Sequence, residues 1–340
     1  MNSLSKRLLT IIAIALTAIS VSAEQWHRDT LGGEFQSRFF DQGVDYSGPV
    51  RSTLVRLIPK HPAKVAVCYI HGFNDYFFQK EMAQQFVDHD YAFFAIDLRK
   101  YGRSLMSGQK RCQVRNFEEY FNDIDSALTE IRSEGYERIV MMGHSTGGLV
   151  ASFYLAKTGG HGIEALLLNS PFLDWNLGKM ECFVGAVSGM GRLAPNIGIS
   201  SGKGTAYGES LHKDYHGEWD FDTVWKSITP TRVDLGWIRA VNSAQNYLKH
   251  HRDRIKIPIL LMYSEKSVSS VDWTPEVDSA DAVLDVEDIR KYGRMLGPDV
   301  TSIMVRGGRH DLVLSKKDVR EPLYTYIFQW LKKTMKTTEP

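Results

Sequence analysis

Six short runs, KVAVCYI, YAFFAID, RIVMMG, IEALLLN, IPILLMY and VTSIMV, are almost continuously apolar. A strand with one wet face alternates in polarity, so a strand apolar at nearly every position needs cover on both faces. Between these runs lie helical stretches, among them QKEMAQQFVDHD, FEEYFNDIDSALTEIRSEG and GGLVASFYLAKTG. Strands alternating with helices in this way predict an α/β fold with a mostly parallel central sheet and helices on both faces. Two alternating segments come first, EFQSRFF and STLVRLI, and they predict an antiparallel pair ahead of the parallel part. Ligands of such sheets bind beyond the carboxyl ends of the strands, so chemistry is expected just after each apolar run.

The first 23 residues are expected to stand apart from this domain. Lys6 and Arg7 precede an apolar stretch from Leu8 to Ile19, and small residues follow at Val21 and Ala23. That pattern is a cleaved export signal, and the apolar run is short for crossing a bilayer. Residues 24–340 then form the domain, and the expected location is periplasmic or secreted. Removing Lys6 and Arg7 leaves 41 − 2 = 39 basic against 40 acidic residues, a balance that predicts no nucleic-acid partner. Of the three cysteines, Cys68 reads as a buried strand residue. Cys112 and Cys182 fall in loop-like contexts, and one pair plus one buried thiol is the simplest arithmetic for an exported chain.

One interval breaks the rhythm. From Pro171 to Arg254 the chain is far longer than a crossover helix requires. It carries Met180, Phe183, Val184, Val187, Met190, Leu193, Trp219, Phe221, Trp225 and Trp237. The expectation is a lid inserted over the strand ends, about 175–250, with most of these residues packing its own small core and a few facing a pocket.

The densest chemistry lies in RIVMMGHSTGGLV, where a strand runs into Gly143-His144-Ser145-Thr146-Gly147 and then a helix. This G-x-S-x-G turn is so tight that side chains at Gly143 or Gly147 would clash, and it exposes the Ser145 hydroxyl at a helix N-terminus. His144 is expected to support the turn. A second strand end, His71-Gly72-Phe73, supplies a loop whose backbone can approach closely. The Phe73 and Thr146 amides are the natural donors for a developing oxyanion, each such donor being worth about a hundred- to a thousandfold in rate. His71 is expected to brace its loop.

These segments give the chain a resemblance to the α/β-hydrolases, and within them to the monoacylglycerol lipase/lysophospholipase branch grouped with serine aminopeptidases. The resemblance rests on HGFND at 71–75, DLRKYGRS at 97–104, GHSTGG at 143–148 and GGRHDLVLS at 307–315, and it is weak across the lid. It implies that Ser145 is a nucleophile, that His310 is its base, and that the substrate is a small-molecule ester or lipid. It implies no cofactor and no metal. A transient contact of the lid with a membrane surface is a further expectation, as is cleavage of carboxylic esters through an acyl-enzyme on Ser145.

The resemblance also implies an acid in a Gly-x-x-Asp pattern just after IPILLM. There the sequence departs from it, with Ser264 and Ser267 in those places. ADAVLDVEDI, further on, is similar to the family's Asp-x-Val-Val-x-Pro segment shifted downstream, with Asp281 followed by Val283 and Leu284, which points to Asp281 displaced by an insertion. Asp281 precedes His310 by 29 residues, room for one helix and one strand. Asp285 and Glu265 are the alternatives, with Asp174 behind them. Asp272, Glu276 and Asp278 read as solvated loop charges.

Two other readings stay open. A peptidase of the prolyl-aminopeptidase type would need a lid carboxylate to hold an amino terminus, and Glu181, Glu209, Asp214 and Glu218 are available. A ligand-binding protein on a degenerate hydrolase scaffold is the other. GISSGKGTAYG lacks the spacing of a phosphate loop, and HKDYH and KHHRD lack the pattern of a zinc site.

Overall fold

The computed structural model describes residues 25–200, 204–229 and 231–337. The leader at 1–23 lies outside them. In chain order, β1 (His27–Arg28), β2 (Gln36–Asp45) and β3 (Gly48–Leu57) lead into β4 (Val65–Ile70), α1 (Lys80–Asp88), β5 (Tyr91–Asp97), α2 (Phe121–Ser133) and β6 (Arg138–His144). Then come α3 (Thr146–Thr158), β7 (Ile163–Asn169), α4 (Val184–Leu193), β8 (Gly198–Ile199), α5 (Ala206–Leu211), β9 (Val233–Asp234) and α6 (Leu235–His250). β10 (Ile259–Ser264), α7 (Val286–Gly293), β11 (Val300–Val305) and α8 (Lys317–Thr337) complete the chain.

All six apolar runs form strands of one sheet, in the order β1-β2-β3-β5-β4-β6-β7-β10-β11. β2 and β3 pair antiparallel, as their alternation predicts, β5, β4, β6, β7, β10 and β11 run parallel, and β8 and β9 form a separate antiparallel pair. β4 lies at the centre, with Cys68 opposite Phe94 of β5 and Met141 of β6. One apolar layer, including Ile124, Leu128, Leu149 and Val241, covers one face; the other, including Met82, Phe86, Leu323 and Ile327, covers the opposite face. α3 is buried along ten consecutive residues from Thr146 to Leu155, which explains why GGLVASFYLA shows no polar face.

The DLRKYGRS motif is a scaffold. Arg103 pairs with Asp97 and with Asp29, and Arg99 makes a buried pair with Asp123. Asp97 also accepts from the Phe77 amide at 2.8 Å, so this buried charge network fixes the chain that leaves β4.

The long interval after β7 differs from its expected form in two ways. α6 packs against α3 and is the crossover helix itself, so the part lying over the strand ends is shorter than 175–250. Met180, Phe183, Met190 and Leu193 do not pack a small core; they face outward, Leu193 being 89% exposed. Only Phe221 and Trp237 of the expected set line the central cavity. The predicted cysteine pair is also absent. Cys112 is buried beneath the strand-end loops while Cys182 sits on the exposed turn before α4, and both are free thiols.

Candidate active site

Ser145 occupies the turn between β6 and α3 with φ 53° and ψ −118°, a conformation that non-glycine residues rarely adopt. The surroundings impose it. A Cβ on Gly143 would lie 2.6 Å from the Gly147 carbonyl oxygen, and one on Gly147 would lie 2.2 Å from that of Ile70. The Ser145 amide donates to the Asn169 carbonyl at 3.0 Å, and its own carbonyl accepts from Leu149 and Phe172.

Ser145 Oγ lies 3.0 Å from His310 Nε2, and His310 Nδ1 lies 2.8 Å from Asp281 Oδ2. An ionised carboxylate only accepts, so the imidazole proton sits on Nδ1 and leaves Nε2 free to accept from the serine hydroxyl. The second oxygen of Asp281 accepts from the Val283 and Leu284 amides, both at 2.8 Å. Burial pushes the Asp281 carboxyl up, but the His310 ring and these two amides outweigh it and hold the group below its usual range. The group is therefore an anion held in a fixed direction.

The inserted segment explains how a distant carboxylate arrives here. Asp281 pairs in a parallel bridge with Ser267, its amide donating to the Lys266 carbonyl and its carbonyl accepting from Val268. The chain leaves after Ser267, makes its excursion and returns alongside its point of departure. Ser264 and Ser267 take other tasks: Ser264 Oγ donates to the Gly308 carbonyl at 2.6 Å, and Ser267 Oγ accepts from the Val286 amide at 2.9 Å.

The other carboxylates lie elsewhere. Asp285 caps α7 through the Glu287 amide, Glu265 faces Arg306, and Asp174 pairs with Lys249. Asp272 and Glu276 are exposed. Asp278 departs from its expected solvated role. It is buried and accepts from Arg309 Nη2 at 2.9 Å, joining the excursion to the residue before His310.

Phe73 and Thr146 both line the cavity that opens on Ser145. A Cβ on Gly72 would come within 3.3 Å of Ser145 Cβ, so the backbone ahead of Phe73 lies directly on the serine. His71 braces this loop: Nε2 accepts from the Leu98 amide at 3.1 Å and Nδ1 donates to the Gly72 carbonyl at 2.8 Å. His144 is buried against the same loop, and burial pushes its pKa down to about 3, so it is neutral.

Three residues went unread in the sequence. Asn169 ends β7 and ties two parts of the site together. Its carbonyl holds Ser145, while its side chain donates to Asp311 at 2.7 Å and accepts from Leu312 at 3.1 Å. A polar residue closing an apolar run at a strand's carboxyl end was the available signal. Asp311, beside His310, is wholly buried in that network. Lys226 has no local signature at all, yet its ammonium reaches Asp75 at 3.0 Å.

The cavity measures about 360 Å³ and is walled largely by apolar side chains, including Phe172, Trp175, Leu177, Phe221, Val283 and Leu284. Asp75 is the sole carboxylate among its lining residues, and it is paired with Lys226. None of Glu181, Glu209, Asp214 and Glu218 lines it.

The chain is similar to Phospholipase YtpA of Bacillus subtilis, 26% identical over 202 residues that span 58% of this chain and 73% of that one. It is also similar to the protein named Probable lysophospholipase L2 of Haemophilus influenzae, 21% identical over 258 residues, 71% of this chain and 74% of the other. Among solved structures, the monoacylglycerol lipase of Paleococcus ferrophilus shares the fold with a TM-score of 0.63 at 20% identity, over 83% of this chain and 99% of that one. The family model described as "Serine aminopeptidase, S33" matches residues 61–317, most of the chain, which is therefore an α/β-hydrolase belonging to that family.

Proposed function

We propose that this hydrolase cleaves carboxylic esters bearing an apolar acyl group, of the monoacylglycerol or lysophospholipid kind, through an acyl-enzyme on Ser145. The observation carrying this reading is the Ser145–His310–Asp281 hydrogen-bonded chain opening into an apolar cavity that offers no unpaired carboxylate. Ser145 Oγ attacks the ester carbonyl carbon as His310 Nε2 takes its proton, and Asp281 stabilises the imidazolium. The Phe73 and Thr146 amides hold the oxyanion. His310 then protonates the departing alcohol, and the acyl group remains on Ser145. Water attacks that acyl group with His310 again as base, releasing the carboxylic acid and restoring the hydroxyl.

An aminopeptidase would need a carboxylate free to hold a substrate's ammonium group. The four lid acids do not line the cavity and Asp75 is already paired with Lys226, so the ester reading is the better supported. Assaying p-nitrophenyl esters of increasing acyl length beside aminoacyl-nitroanilides tests it. Turnover of the esters, rising with chain length, is expected; turnover confined to the anilides would overturn it.

Export belongs to the same proposal. It is supported by the basic, apolar and small-residue order of positions 1–23, and a mature protein beginning at Glu24 is the expected outcome of N-terminal sequencing. The outward apolar residues of the lid support contact with a membrane surface where such esters reside.

A further inference from the structure

Behind the serine and its base lies a second polar cluster that this chemistry leaves unused. Asp75, His144 and Asp311 are buried with their polar atoms within 4.8 Å of one another, and both carboxylates lie 3.8 Å from His144 Nδ1. Asp311 is satisfied by Asn169 and Gln79. Asp75 takes its charge partner from outside the sheet: Lys226, on the segment after α5, extends its ammonium to Asp75 Oδ1. The Phe78, Tyr207 and Phe221 rings surround that ammonium at 5.6–5.8 Å, and Lys226 is itself only 6% exposed.

Asp75 is two residues beyond Phe73, and its neighbours grip the same segment. Asn74, at φ 50°, donates to the Ser227 carbonyl at 2.9 Å and accepts from the Ser227 amide at 3.3 Å. Tyr76 accepts at its hydroxyl from the Asp222 amide at 2.8 Å. Three consecutive residues of the loop are thus fastened to residues 222–227. We infer that the Asp75–Lys226 pair is a positioning device through which this part of the lid holds the Phe73 amide against Ser145, so that residues 222–227 are a fixed wall of the site and not a moving flap. Without the lysine, Asp75 and Asp311 would be two buried carboxylates about a neutral imidazole. A buried charge left alone is strongly disfavoured, and the loop would move to relieve it.

This inference rests on the proposed reading of Ser145 and Phe73, and its test is chosen to separate the two. The rate at which an alkyl fluorophosphonate labels Ser145 does not depend on which ester is the natural substrate, and its phosphonyl oxygen enters the same hole. Labelling is measured against probe concentration in wild type, Lys226→Met, Asp75→Asn, the double variant and Lys213→Met, with thermal unfolding beside it. Lys213 makes an exposed lid pair with Asp220 and serves as the control.

Each single variant at the buried pair is expected to lose about tenfold to a hundredfold in the maximal labelling rate, as a misplaced oxyanion donor would cause, with the half-saturating probe concentration unchanged. The double variant, which leaves no charge unpaired, is expected to recover most of that loss, and Lys213→Met to label like wild type. Folded single variants labelling at the wild-type rate, a double variant no faster than either single, or losses that merely track unfolding would overturn the inference alone. If Lys226→Met does not fold, Asp75→Asn and the double variant carry the comparison. A wild-type protein that the probe leaves unlabelled would overturn this inference together with the proposed function.

Discussion

Asp281 contributes two separable things, a charge and a direction. Its ionised oxygen fixes the imidazole proton on Nδ1, and the Val283 and Leu284 amides hold that oxygen's partner in place. Asp281→Asn keeps the shape but can donate its amide N–H to Nδ1, which favours the tautomer whose Nε2 cannot accept the serine proton. The variant is expected to lose about ten-thousandfold in kcat while the fold persists, checked by steady-state kinetics beside circular dichroism. Asp285→Asn and Glu265→Gln, one a helix cap and the other facing Arg306, are expected to stay within about threefold of wild type, since neither touches the reacting chain. A large loss in either of these, with little in Asp281→Asn, would reassign the acid. Ser145 and His310 could be picked out in the sequence because each sits in a short local pattern. Asp281 needed a further step, the distance to His310, because Ser267 stands where the resemblance implied an acid.

The excursion between Ser267 and Asp281 shows where sequence reading stopped. Its existence follows from spacing, and its return beside Ser267 is a matter of two backbone hydrogen bonds. The role of Asp278 could not be read there, because its partner, Arg309, lies 31 residues away on another loop. A carboxylate in a run of polar residues looks solvated until a distant guanidinium covers it. The same holds for Asp75 and Lys226, whereas the strands were legible because continuous apolarity is a local property. The Arg309–Asp278 pair joins the excursion to the base loop, where Arg309 also donates to the Leu314 carbonyl at 3.2 Å. Among the described residues, Arg309→Met leaves this buried carboxylate the Trp273 indole N–H at 3.3 Å and a single cation, Lys316 at 3.7 Å, to answer it. A loss of about 3 kcal/mol in unfolding free energy is expected, read by urea denaturation. Asp278→Asn together with Arg309→Met should cost less than Arg309→Met alone, and equal losses would show that the pair is not what fastens the loop.

Taken whole, the molecule divides its long insertion between two tasks. Residues 206–229 are pinned to the domain: Trp219 Nε1 donates to the Leu314 carbonyl at 2.8 Å, Arg320 bridges Glu218 and Glu81, and Lys226 reaches Asp75. The earlier part, through α4 to β8, turns Met180, Phe183, Met190 and Leu193 to the outside. No helix among the described residues is long and apolar enough to cross a membrane. Several large apolar side chains left exposed on one outer segment are the pattern that a contact surface would show, and the proposed function makes a lipid surface its expected partner. If the surface meets lipid, the gain is set by apolar area removed from water, about 25 cal/mol per Å², and the near-neutral balance of 41 basic and 40 acidic residues adds little long-range attraction. Binding to vesicles should therefore be nearly as strong for neutral phosphatidylcholine as for mixtures with anionic lipid, and should change little with salt. Met180→Asp with Leu193→Asp is expected to weaken vesicle co-sedimentation at least tenfold, since two charges would have to be buried beside the acyl chains. The same variant should hydrolyse a short soluble ester at the wild-type rate, because neither residue lines the cavity. Unchanged sedimentation would remove the outer face of this segment from any role at a membrane, and equal losses on soluble and vesicle-borne esters would trace the effect to the cavity instead.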